Sequence, residues 1–279
     1  MNGCSSPFQV KVAYSPQLVV YGITWGGDST INVRVETNNR NPISDSNSET
    51  ALIGLSGILS DETTGRTVQL TPSFSSGLNL LTGYLPSGPR NSLNLEITAP
   101  GYGQCNSTSV VHDSAVIFPD SWTESALRDP AGGNPDPEFL IYPSPYATAV
   151  RLTLELEYKG IDLNGHAVSG TFLVNPSYQQ DTTSYFLKIN GEISALTVST
   201  SSYAPVFSEV VDSLQSGTVV AVITLLQIDG TLYDYYSIAN GFDDPFTMIT
   251  DKPVFTNVTG GLGFWGSARL DSISIPVYP

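Results

Sequence analysis

The stretch Ala149 to Tyr158 constrains this chain more than any other: Val150, Leu152, Leu154 and Leu156 alternate with Arg151, Thr153, Glu155 and Glu157. Side chains of an extended strand point to opposite faces at a period of two, so this pattern makes one dry face and one wet face. Ile31, Val33 and Val35 alternate in the same way with Asn32, Arg34 and Glu36, as do Leu93, Leu95 and Ile97 with their neighbours. Leu18 to Ile23 reads as a buried strand stopped by Gly26-Gly27-Asp28. Leu52 to Leu59 and Val68 to Leu70 flank the turn Asp61-Glu62-Thr63-Thr64-Gly65-Arg66 as a hairpin. Val110 to Phe118 closes the unit. Short strands with turns at intervals of about 8 to 12 residues are the pattern of an immunoglobulin-like sandwich, placed here over residues 18–118.

Residues 119–145 carry Arg128-Asp129-Pro130-Ala131-Gly132-Gly133-Asn134-Pro135-Asp136-Pro137 and read as an irregular connection. A second antiparallel β domain follows over 146–279. Its expected strands are Ala149 to Tyr158, Val168 to Val174, Tyr185 to Ile189, Ile193 to Thr200, Val219 to Ile228, Val254 to Val258 and Arg269 to Val277. Two short helices are expected at Val206 to Leu214 and Leu232 to Asn240, stopped by Gly217 and Gly241. The fold class is all-β with one or two short helices.

Composition agrees with an exported β-protein. Only 13% of the 279 residues are charged, and Ser, Thr, Asn and Gly fill the solvent faces. With 11 basic against 26 acidic residues, the net charge of −15 argues against nucleic acid and anionic lipid, which need clustered Lys and Arg. Its plain role is solubility.

The two cysteines, Cys4 and Cys105, form neither a zinc motif nor a redox pair. A disulfide between them would tie the N-terminus to a domain edge. The preferred reading takes Met1-Asn2-Gly3-Cys4-Ser5-Ser6 as the end of a lipoprotein signal peptide, with Cys4 as the lipidated residue and residues 1–17 as N-terminus and tether. No stretch has the roughly 18 apolar residues of a spanning helix.

Catalytic patterns are sparse. The histidines, His112 and His166, fall in different expected units, and no GxSxG or HExxH occurs. Gly260-Gly261-Leu262-Gly263-Phe264-Trp265-Gly266 lacks the Lys-Ser/Thr of a phosphate loop and reads as a tight β-turn with a packed aromatic. Asp129, Asp136 and Glu138 are weak calcium candidates, structural loop acids being the preferred reading, because calcium wants several converging oxygens. Tyr233, Tyr235 and Tyr236, with Asp243, Asp244 and Trp265, form the candidate binding surface. Tyrosine offers contact area at low entropy cost, and half-buried structural tyrosines are the competing reading.

The lipobox-like Cys4, the first strand Leu18-Val19-Val20-Tyr21-Gly22-Ile23 and the segment Asn257 to Gly266 together resemble uncharacterised outer-membrane lipoproteins of Bacteroidota with a C-terminal domain of unknown function. The resemblance implies an immunoglobulin-like or transthyretin-like first domain, an envelope location, no assigned catalytic residues and no cofactor. It also implies a TonB-dependent outer-membrane receptor as partner. Five Asp-Ser/Thr triplets, at Asp28, Asp113, Asp181, Asp212 and Asp271, look like the O-glycosylation sites of exported proteins of that phylum.

The leading expectation is therefore a non-catalytic envelope lipoprotein that binds a ligand or partner protein, as an accessory to a TonB-dependent transporter. A structural or adhesive envelope component is the first alternative, and a carboxylate-dependent hydrolase is the second.

Overall fold

A computed structural model describes residues 16–38, 51–86, 88, 90–120, 138–174, 186–189, 194–197, 200–240 and 255–278. Within them the chain is all-β with two helices. The first strands are β1 (Leu18–Trp25), β2 (Thr30–Thr37), β3 (Ser56–Asp61), β4 (Arg66–Ser75), β5 (Leu78–Tyr84), β6 (Ser92–Thr98) and β7 (Cys105–Val110). Then come β8 (Val116–Asp120), β9 (Glu138–Tyr142), β10 (Ala149–Asp162), β11 (Ala167–Val174), β12 (Leu187–Lys188) and β13 (Ser194–Thr197). Helix α1 (Thr200–Ser213), β14 (Leu214–Ile228), helix α2 (Gly230–Asn240) and β15 (Leu262–Tyr278) complete the chain.

Eleven strands run in the order β11-β10-β14-β15-β1-β2-β5-β4-β3-β6-β7 within one 12-stranded sheet, β12 pairing beside β10; β13-β9-β8 form a separate sheet of three. The alternation read from sequence decides which faces are dry. Ile31, Val33 and Val35 of β2 and Leu93, Leu95 and Ile97 of β6 are all buried in one core. At about 1.5–3 kcal/mol per fully buried aliphatic side chain, such faces supply most of the driving force for folding.

That core is enclosed because β4 changes partner. Arg66 to Leu70 pair with β3, whereas Thr71 to Ser75 pair with β5, so the sheet bends and β1, β2 and β5 share a core with β3, β6 and β7. The Asn106–Thr259 bridge then ties β7 to the segment leading into β15, bringing the β7 end of the bent sheet back towards β15.

The second core lies between β10, β14 and α1. It includes Leu152, Leu154, Ile223, Leu225, Phe207 and Val210, with Ile117 of β8 and Ile141 of β9 added. Strands β8 and β9 thus lie partly within the stretch expected to be irregular. Val116 pairs with Tyr142 and Phe118 with Leu140, two aromatic-rich segments that satisfy each other's backbone.

β15 joins both parts. Leu262 to Ala268 run parallel to β1, and Ala268 to Tyr278 run antiparallel to β14. The glycine cluster expected as a turn is therefore a turn only up to Gly261, and from Leu262 it is strand. Gly263, at φ +93°, lies where a Cβ would stand 2.0 Å from the Val20 carbonyl oxygen, so only glycine lets β15 close on β1 there. Val254 to Val258 was also expected as a strand. Residues 255–258 are instead irregular, because the side chain of Asn257 substitutes for a strand partner: its Nδ2 donates to the Trp265 carbonyl at 2.8 Å, and its Oδ1 accepts from the Trp265 N–H at 2.9 Å.

Candidate functional site

Helix α2 is placed by Asp229, whose Oδ1 accepts the Leu232 N–H at 2.9 Å as an N-cap. The Oδ2 of the same carboxylate accepts the Ser267 N–H at 2.8 Å and its hydroxyl at 3.3 Å, fixing the helix start to β15. Burial raises the Asp229 pKa against these stabilising bonds. Gly266 lies under the helix, where a Cβ would stand 2.7 Å from Leu232 Cγ.

On this platform the tyrosines join a run of rings. Tyr21 and Phe264, register partners on β1 and β15, meet edge to face at 5.7 Å. Tyr235 lies 4.2 Å from Phe264 and 5.7 Å from Tyr236, which in turn packs 5.3 Å from Phe186. The Lys188 ammonium sits 5.4 Å from the Tyr233 ring centre, within cation–π range. Tyr235 is 37% exposed, whereas Tyr233 and Tyr236 are half-buried against the cluster of Leu232, Phe264 and Phe186. Burial, then the charge of Glu36, pushes the Tyr21 hydroxyl up in pKa. The structure thus brings Tyr233, Tyr235 and Tyr236 together with Phe264.

Trp265 does not join them and is corrected from a surface residue to a core one. It is 0% exposed, on the opposite face of β15 from Phe264, in the core with Leu18, Val20 and Val33. The strand alternates faces, and Gly22 opposite it leaves room for the indole, a Cβ there being 3.0 Å from Trp265 Cδ1. Asp243, Asp244, Asp129, Asp136 and Cys4 lie outside the described residues. Glu138 is on β9, opposite Asp120. Among the described residues no group of three or more His, Cys, Asp or Glu is assembled for a metal ion, and no helix is long and apolar enough to cross a membrane. Cys105 is a buried thiol, its pKa raised by burial.

Reading by motif missed a polar hub beside the platform. Gln227 is completely buried at the end of the apolar face of β14 formed by Val219, Ala221, Ile223 and Leu225. Its Oε1 accepts the Ser144 N–H at 2.7 Å, and its Nε2 donates to Asp271 Oδ2 at 2.9 Å and to the Asp113 carbonyl at 3.2 Å. Asp271 also accepts from the Ala115 N–H and from Arg269 Nε, both at 2.9 Å. Arg269 reaches back to the His112 carbonyl and the Ser114 hydroxyl, and Arg90 pairs with Asp113. A lone Gln in an otherwise aliphatic run was the available sequence signal, since a buried amide demands partners.

His112 is fully buried, and its Nε2 donates to the Ser267 carbonyl at 3.2 Å. The neutral ring then presents Nδ1 as an acceptor, and this atom has no partner. Burial holds the His112 pKa below 6.5, with smaller opposing effects from the Ser267 bond and the Asp113 charge. His166 sits instead in the β10–β11 turn, Nδ1 3.5 Å from Asp162, with 77% of its side chain exposed.

No protein-family model and no curated protein matches this chain. Among solved structures, a DUF4785 family protein from Legionella pneumophila aligns over 77% of this chain and 54% of its own at 11% identity and a TM-score of 0.28. Dimeric latent PorU from Porphyromonas gingivalis aligns over 76% of this chain and 18% of its own, at 13% identity and a TM-score of 0.21.

Proposed function

We propose that this protein is a non-catalytic cell-envelope lipoprotein, anchored through Cys4, that docks a partner on the tyrosine face of α2 as an accessory to a TonB-dependent outer-membrane transporter. The observation that carries the reading is the continuous run Tyr21, Phe264, Tyr235, Tyr236 and Phe186, with Tyr235 exposed at its centre. Rigid aromatic rings with polar tips are the side chains that dominate binding hot spots. The platform beneath is held by the Asp229 cap and by Gly266, so little ordering cost remains to be met on binding.

The test is affinity recovery of the full-length lipidated protein from its native envelope, in parallel with Tyr235→Ala. Stoichiometric recovery of a TonB-dependent receptor by the parent, reduced at least tenfold in the variant, supports the reading. Recovery of the protein alone or of its own multimers overturns it.

One observation favours the structural or adhesive alternative. Among the described residues β11 ends the large sheet, and its eight residues Ala167–Val174 carry no charge and no proline. Edge strands are usually guarded by such residues, so an unguarded one suits strand-to-strand contact.

A further inference from the structure

A cleft of about 280 Å³ opens where β6 and β7 face the start of α2. Six of its nine lining residues carry a hydroxyl: Ser92, Thr108, Ser109, Tyr146, Thr231 and Ser267. The others are Val110, Gly230 and Asp229. We propose that this cleft is a binding site for a neutral polyhydroxy compound, namely a single sugar ring or cyclic polyol.

Charge removes the other ligand classes. No lining residue is basic, and the one carboxylate would repel a phosphate or carboxylate group. A cation finds only Asp229, whose oxygens already accept the Leu232 N–H, the Ser267 N–H and the Ser267 hydroxyl. An apolar ligand would strip water from the solvent-facing hydroxyls, Thr108 and Tyr146 among them, and return no hydrogen bond, at a cost of roughly 1–3 kcal/mol for each group left unpaired. Hydroxyls both donate and accept, so an array of them is matched by a ligand whose own groups do the same. The volume lies just under the roughly 300–1,000 Å³ typical of sites for drug-sized molecules, which suits one ring rather than a chain of them.

A second, independent observation comes from unmet hydrogen-bonding capacity beside the cleft. Ser109 is 5% exposed and its hydroxyl has no partner. Buried polar groups are nearly always satisfied, so this unpartnered hydroxyl in the cleft wall marks a place completed by something else. A bridging water or a small shift of the Ser109 side chain lets a ligand hydroxyl meet it. The site is separate from the tyrosine face and stands whether or not that face docks a partner.

The full chain is titrated with D-glucose, D-galactose, D-mannose and myo-inositol by saturation-transfer NMR and calorimetry, with D-glucuronate and D-glucosamine as charged comparators. The expected result is saturable binding of at least one neutral compound at a Kd of about 1 mM or tighter, with the charged comparators at least tenfold weaker. Ser109→Ala removes a hydroxyl that bonds nothing in the free protein. It is expected to keep or raise the thermal midpoint while weakening binding at least fivefold. Thr108→Val, on the exposed side of β7, is expected to weaken binding similarly and serves if the first variant folds poorly. Absence of saturable binding by all four neutral compounds, unchanged affinity in both variants, or tighter binding of a charged comparator overturns the proposal.

Discussion

At the scale of single residues, the buried titratable groups act in opposite directions on stability. His112 is held below its ordinary pKa of 6.5, chiefly by burial, so the folded state resists its protonation. Below about pH 6.5 the unfolded chain binds the extra proton first, and the His112 contribution is lost as pH falls through the folded value. Asp229, raised above 3.8 by burial, has the reverse sign: its carboxylate costs stability at neutral pH, and that cost is relieved as pH falls through its raised value. Asp61 is also desolvated, yet hydrogen bonds from Thr64, Asn91 and Thr63 outweigh burial and hold it below 3.8. Its contribution is present above 3.8 and lost as pH falls through the lower folded value. Comparing urea unfolding of the parent and His112→Gln at pH 7.5 and 5.0 isolates the histidine. The variant is expected to lose less stability between the two pH values, and an equal loss would show that His112 is not resisting protonation.

At the scale of elements, the entry into β15 depends on a side chain imitating backbone. Asn257 offers one donor and one acceptor to Trp265, in the place where a neighbouring strand would offer a peptide group. Asn257→Leu keeps the size but leaves the Trp265 N–H and carbonyl without these partners. The expected cost is about 2–4 kcal/mol, from two unpaired groups at roughly 1–3 kcal/mol each with partial rescue by solvent. Asn257→Asp retains the acceptor and loses the donor, so it should fall between the parent and the leucine variant. Denaturant midpoints at unchanged m-value check the order.

At the scale of the molecule, the two units expected over 18–118 and 146–279 share β15. Its first residues pair with β1 and bury Trp265 in the core with Leu59, Leu81 and Leu95; its later residues pair with β14 beside the second core. The Gln227, Asp271, Asp113 and Arg269 hub adds polar links across the same region. Unfolding one part therefore strips a strand from the other. Leu81→Ala in the first core and Ile223→Ala in the second, each expected to cost about 2–5 kcal/mol, should lower one common transition. Two separate melting steps in calorimetry, with each variant moving only one, would show that β15 does not couple them.

The strand identities were legible because alternation is local: Ile31-Val33-Val35, Leu93-Leu95-Ile97 and Leu152-Leu154-Leu156 declare their dry faces without reference to any neighbour. The helix that carries Tyr233, Tyr235 and Tyr236 and the hairpin turn at Asp61 to Arg66 were legible for the same reason, through a terminal glycine and a run of turn residues, whereas the Asp229 cap that starts the helix was not read. Tertiary structure alone decided partners. Strand pairing joins residues far apart in the chain, so nothing in Gly263-Phe264-Trp265-Gly266 announces that it lies along Val20 to Ile23, or that the pairing sends Trp265 inward and Phe264 to the tyrosines. The cleft belongs to the same class. Its hydroxyls come from β6, β7, the 144–147 turn, α2 and β15, and as isolated Ser and Thr they are indistinguishable from the solvent-facing hydroxyls of this chain until the fold gathers them around Asp229.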